Sequence, residues 1–197
     1  LTDKARKELW ATLALRHARG IGACRARLLI ETYGNALAAV QDGLSTPSRW
    51  ALKKLIPSDI AAAFAAECWR TPALAEWNAL RRNNCSILLW SDPDYPEPLR
   101  GIPYFPLLLY LKGDESLLHS PSVAIVGARD CTREGIAVAA YLARDLSKAG
   151  VTIISGMAMG IDRAAHLAAL EGPGRSIGIL GTGVDVPYPQ CNTDLYE

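Results

Sequence analysis

The chain has 197 residues, half of them hydrophobic, with 21 Lys and Arg against 20 Asp and Glu, which suffices for one good core or a small domain beside a medium one and excludes a disordered or fibrous chain. Its five cysteines, Cys24, Cys68, Cys85, Cys131 and Cys191, are odd in number and form no C-x-x-C pair, so the reading is neither a disulfide framework nor a structural zinc site but a chain of a reducing, cytoplasmic compartment. No apolar run approaches the roughly 18 residues of a membrane span, and LTDKARKELW does not read as a signal peptide.

The first 80 residues have the pattern of a small all-helical domain rich in Ala, Leu and Arg. Leu9, Leu13 and the pair Trp10 and Leu15 recur at helical spacing until the run breaks at Ala18-Arg19-Gly20. The next helix is predicted over Ala23 to Tyr33, with Leu28, Leu29 and Tyr33 facing inward and Gly34 as its C-cap. Ser45-Thr46-Pro47 and Pro57-Ser58-Asp59 punctuate further short helices, and Thr71-Pro72 opens one more that runs to about Asn83.

At Asn83-Asn84 the hydrophobic period changes, and residues 81–197 alternate β-rich runs with helical stretches. Strands are predicted at Cys85–Trp90, Leu107–Leu111, Val123–Val126, Val151–Ile154 and Ile177–Leu180. Helices are predicted near Thr132–Ala149 and Gly160–Leu170. Strands without polar alternation, joined by helices, predict an α/β, Rossmann-like parallel sheet covered on both faces. The stiff loop Ser91 to Pro98 connects the two regions. Charge divides unevenly: residues 1–76 carry 11 Lys and Arg against 7 Asp and Glu, and residues 77–197 carry 10 against 13. A nucleic-acid site in the second region therefore depends on local arrangement, not overall charge.

Ligands of a doubly wound sheet gather at the carboxyl ends of its strands, and three glycine-bearing turns are predicted there. Gly127-Ala128-Arg129 joins a strand to a helix; its glycine permits close approach, the helix N-terminus offers amides, and Arg129 supplies a planar cation suited to phosphate. The competing reading is an ordinary turn bearing a surface arginine. Ser155-Gly156-Met157-Ala158-Met159-Gly160 is a second turn of phosphate-friendly composition. Asp162 and His166 follow at i and i+4, too few for a metal site without a third ligand, and an Asp capping backbone amides is the simpler reading. Gly178 to Asp185 has the wrong glycine order for a dinucleotide fingerprint and reads as a strand ending in a tight turn. No metal, cofactor or catalytic residue is expected, because no nucleophile has an evident base beside it.

The stretches YPEPLRGIPYFPLLLYLKG (95–113), SVAIVGAR (122–129), SGMAMGIDRAAHLAAL (155–170) and GILGTGVDVPYP (178–189) occur in an order that resembles the DprA/Smf family. The turn Arg19-Gly20-Ile21-Gly22-Ala23 is similar to a helix-hairpin-helix of the family's SAM-like N-terminal domain, implying DNA contact at Arg19, Gly20 and Gly22. The resemblance implies a truncated Rossmann-like core, working as a homodimer that binds and protects single-stranded DNA. It further implies loading of the RecA recombinase in DNA recombination and natural transformation. It places phosphate contacts at Gly127, Ala128, Arg129, Ser155, Gly156 and Gly160. Met159 stands where some members carry Lys, and the family's F-x-x-R-N-R segment does not occur before Glu197, so weaker DNA affinity and an incomplete dimer surface are expected. Two rival readings are a nucleotide-processing enzyme of the phosphoribohydrolase type, although P-G-G-x-G-T-x-x-E is not found, and a protein-docking scaffold.

Overall fold

The computed structural model describes residues 2–82, 85–173 and 175–196 and divides into two compact units, Leu1–Leu111 and Lys112–Glu197. The change of hydrophobic period at Asn83-Asn84 falls outside the described residues. The two strands that follow it pair with each other and belong to the first unit, so the units divide later in the chain than the change of pattern.

In the first unit, α1 (Asp3–His17) is the central helix, buried at Leu9, Leu13 and Leu15 and packed against both α3 and α6. Thr2 caps it by accepting from the Ala5 amide at 3.2 Å. Helix α2 (Ala23–Tyr33) ends at Gly34, whose φ of +82° is the left-handed cap expected from the sequence. Leu29 faces the core, but Leu28 is 40% exposed and departs from the inward expectation, because adjacent helical positions diverge by about 100°. Helix α3 (Ala36–Ser45) begins on Asn35, and the Glu8 carboxylate accepts from the Ala36 and Leu37 amides at 2.7 and 3.0 Å. Short helices α4 (Ser48–Leu52) and α5 (Ser58–Ala65) follow, then α6 (Arg70–Arg82). Trp10 meets Trp69 and Trp77 edge-on with ring centroids 5.9 Å apart, and Trp50 tilts against Phe64 at 4.8 Å, so aromatic rings dominate this core. Strand β1 (Ser86–Leu89), helix α7 (Glu97–Arg100) and strand β2 (Leu108–Leu111) complete the unit, with β1 antiparallel to β2 and Leu89 opposite Leu108.

The second unit carries β3 (Ser122–Ala124), α8 (Arg133–Lys148), β4 (Thr152–Ser155), α9 (Ile161–Ala169) and β5 (Ser176–Gly178). The three strands are parallel in the order β3-β4-β5, as their apolar runs predicted. Helices α8 and α9 pack on each other and on β4 through Ala143, Ala165, Ala168 and Ile153, the alanines allowing close approach. Among the described residues the expected cover is seen on one face: α8 and α9 contact each other and both contact β4, as follows when strand order advances in one direction and crossovers take the usual right hand. Val123 accordingly remains 41% exposed.

Candidate functional site

Parallel strands point their carboxyl ends the same way, so the loops after β3, β4 and β5 meet at one edge of the sheet. Together they wall a pocket of about 310 Å³. Arg129 lines it from the first loop and Gly156, Ala158 and Met159 from the second; Leu180, Gly181, Thr182, Tyr188 and Pro189 come from the third.

Buried polar groups lock the first two loops together. Asp162 accepts from the Gly127 amide at 3.4 Å through Oδ1 and from the Gly156 amide at 3.1 Å through Oδ2, so its role is the backbone-capping one. The Ile161 amide donates to the Ala128 carbonyl at 3.3 Å. Gly160, at φ +77°, lies so close to the first loop that a Cβ there would stand 2.4 Å from the Ala128 oxygen and 2.6 Å from that of Arg129. A Cβ on Gly127 would instead meet Ile161 at 2.7 Å, so this glycine serves packing of α9 against the loop. His166 is buried, with Nδ1 2.6 Å from the Ser176 hydroxyl; burial holds its pKa below the ordinary value despite the nearby Asp162 carboxylate.

The sequence-derived phosphate set thus divides. Ser155 is buried and its hydroxyl donates to the Ile125 carbonyl at 2.6 Å. The amides of Gly127 and Gly156 are engaged by Asp162, the Ala128 carbonyl by Ile161, and Gly160 is a packing contact. Arg129 is exposed, and among the described residues no hydrogen bond or ion pair engages its guanidinium. Arg144 and Arg163, by contrast, are neutralised by Glu171 and Asp194. Arg19, Gly20 and Gly22 lie in the first unit between α1 and α2; Arg19 is exposed, Gly20 has φ +84° and its carbonyl accepts from Arg25, and Gly22 is the N-cap of α2.

Sequence reading missed two contributions. The third loop, taken for a plain tight turn, supplies a wall of the pocket, which required knowing that β5 pairs with β4. Asn192, fully buried, donates from its side-chain amide to the carbonyls of Met157 at 2.8 Å and Ala158 at 3.0 Å. Its Oδ1 accepts from Arg163 at 3.1 Å. The run PQCNTD, Pro189 to Asp194, carries no local signal of that role.

Residues 86–197 match the profile of DNA recombination-mediator protein A. The DNA processing protein DprA of Streptococcus pneumoniae is 42% identical over 106 residues, covering 54% of this chain and 37% of that protein. Protein Smf of Synechocystis is 42% identical over 121 residues, 59% of this chain and 30% of that protein. The matched segments thus span about a third of the length of these relatives. The crystal structure of the pneumococcal protein superposes with a TM-score of 0.75 at 28% identity, covering 95% of this chain and 62% of that one. DNA processing protein A of Helicobacter pylori, described for its single-stranded DNA binding mode, gives 0.51 at 33% identity over 57% of this chain and 49% of that one. Among the described residues no helix is long and apolar enough to cross a membrane. With a profile match across more than half its length, the chain belongs to the DNA recombination-mediator protein A family, the family of DprA and Smf.

Proposed function

We propose that this chain binds single-stranded DNA without sequence preference, in the cytoplasm, as a binder and not an enzyme, in the service of DNA recombination. The observation that carries the reading is the unpaired Arg129 guanidinium on a pocket in which the Gly156 amide and the Thr182 hydroxyl are already engaged, by Asp162 and the Val186 carbonyl. A guanidinium with no carboxylate partner is free to form charge-assisted bonds to phosphate. Ser155 and His166, the groups that might otherwise suggest covalent or acid–base work, are buried and bonded internally. Family membership and the Helicobacter pylori relative support DNA as the ligand. The same membership supports homodimer formation, loading of the RecA recombinase and, in a transformable host, uptake of foreign DNA. A second contact at the exposed Arg19 turn is part of this proposal.

The test is binding of a fluorescent oligothymidylate by wild type and Arg129→Ala at several salt concentrations. Arg129→Ala is expected to lose about 1–3 kcal/mol of binding, and the slope of log affinity against log salt is expected to fall by about 0.7. Thermal stability is expected to hold, since an exposed arginine contributes little to the core. Equal affinity and slope in both proteins would remove Arg129 from the site, and no binding by wild type would end the DNA reading.

A further inference from the structure

Three hydrogen bonds leave His166 one form of its ring. The Ser176 hydroxyl gives its single proton to the Ile153 carbonyl at 3.1 Å, so at 2.6 Å from Nδ1 it can only accept, and Nδ1 carries a proton. The Met157 amide donates to Nε2 at 3.4 Å, so Nε2 keeps its lone pair. A ring protonated at both nitrogens would set its Nε2–H against the Met157 N–H. Met157 has φ +58°, a conformation costly for a residue with a side chain, and it lies over Gly178 of β5, where a Cβ would stand 2.8 Å from its Cγ. The second loop therefore depends on outside partners, and one of them is a titratable ring.

The surroundings of that ring supply one charge. Asp162, one turn earlier on α9, favours the cation, but burial outweighs it. Strands β4 and β5 contain no ionisable side chain. Helix α8 turns Ala143 and Ser147 toward α9, and its ionisable groups are exposed or, like Arg144, paired with Glu171. Asp194, in the turn Gln190–Leu195 packed on α9, is taken by Arg163 at 2.7 Å.

We propose that His166 is a positioning residue for the second loop: the neutral ring, protonated at Nδ1, holds Met157, and proton uptake at Nε2 releases the loop and weakens the hold on single-stranded DNA. Its last step rests on the single-stranded DNA reading; the hold on the loop does not. Affinity is then level above the ordinary histidine value of 6.5 and falls as pH drops below it, by at most about one decade per pH unit because one proton is taken up.

The chain has two methionines, Met157 and Met159, and both lie in this loop, so their methyl NMR signals report it without DNA. Wild type, His166→Gln and His166→Asn are titrated from neutral to mildly acid pH, with oligothymidylate affinity measured in parallel. Gln keeps an acceptor near the Nε2 position, whereas Asn keeps a donor near Nδ1 and leaves the Met157 amide without its acceptor. In wild type the methyl signals are expected to move with the ring's titration and affinity to fall with them. His166→Gln is expected to bind close to wild type at neutral pH and to lose the acid fall, and His166→Asn to bind about tenfold more weakly throughout, the size of one lost buried hydrogen bond. His17 and His119 are present in all three proteins, so any titration of theirs is common to them. Imidazole nitrogen shifts of wild type test the tautomer without any variant. A ring protonated at Nε2 at neutral pH, methyl signals that ignore its titration, or an acid fall retained in His166→Gln would overturn the positioning role. Absence of oligothymidylate binding by wild type at any pH would overturn the DNA step, with the methyl signals still deciding the loop.

Discussion

Asn192 holds Met157 in place: its side-chain amide donates to the Met157 carbonyl at 2.8 Å, although 35 residues separate the two in sequence. Met157 sits at φ +58°, a left-handed conformation costly for a residue with a side chain. The second proton of the same amide goes to Ala158 at 3.0 Å, so one buried side chain stabilises the loop that presents Ala158 and Met159 to the pocket. Arg163, itself paired with Asp194 at 2.7 Å, fixes the amide's orientation by donating to its oxygen.

Replacing Asn192 by Ala leaves the buried Met157 carbonyl and the half-buried Ala158 carbonyl without this donor, at about 1–3 kcal/mol for the buried one, and is expected to loosen the loop and weaken DNA binding together. Asn192→Asp is more diagnostic. An ionised Asp keeps an oxygen for Arg163 but has no proton for either carbonyl, so it is expected to lose about as much stability as the Ala variant at neutral pH. Hydrogen exchange at the β4 amides of both variants checks this; wild-type protection in Asn192→Asp would refute the donor role of Asn192.

Gly160→Ala is expected to disrupt the site, since a Cβ would stand 2.4 Å from the Ala128 oxygen at a φ of +77°. Strain of about 1–3 kcal/mol adds to the displacement of the loop bearing Arg129. A Cβ on Gly181, which also lines the pocket, would meet no other segment within 4 Å, and Gly181→Ala is expected to change stability by no more than about 0.5 kcal/mol. Thermal melts and oligothymidylate titrations of both variants separate the two cases, and equal behaviour would contradict the packing account.

Glu76 predicts an acid limb in the stability of the first unit. Burial pushes its carboxyl pKa up, but the Tyr110 hydroxyl, Arg16 and His17 outweigh burial and hold it below the ordinary 4.5. A depressed folded-state pKa gives stability that is present above 4.5 and is lost as pH falls through the folded value. All five tryptophans precede Lys112, so tryptophan fluorescence reports this unit. Glu76→Gln is expected to cost about 1–3 kcal/mol at neutral pH and to flatten the acid limb. An unchanged limb in the variant would assign it to other carboxylates.

His166 predicts a second limb, in the other unit and at higher pH. Its folded-state pKa lies below the ordinary value of 6.5 because burial disfavours the cation. Stability from the neutral ring is therefore complete above 6.5 and declines as pH falls below it. Hydrogen exchange of β4 and β5 amides between neutral and mildly acid pH measures this, and protection that stays constant across that range would contradict it.

Local pattern in the sequence determined the helices, their caps and the strands. Gly34 ends α2 because only a glycine takes the left-handed cap freely, and apolar runs without polar alternation at β3, β4 and β5 point to strands of a parallel sheet. It also singled out Arg129, because an arginine just past a strand's carboxyl end is a local fact. What it could not determine is which groups remain free once the chain has folded. The Ser155 hydroxyl and the amides of Gly127 and Gly156 are consumed by Ile125 and Asp162, partners 30, 35 and 6 residues away. Asn192 and Tyr188 reach the site only because β5 lies beside β4 and carries the following loop to the same edge. Hydrogen-bond partners and pocket walls are set by contacts between distant segments, and hydrophobic period, being local, records none of them.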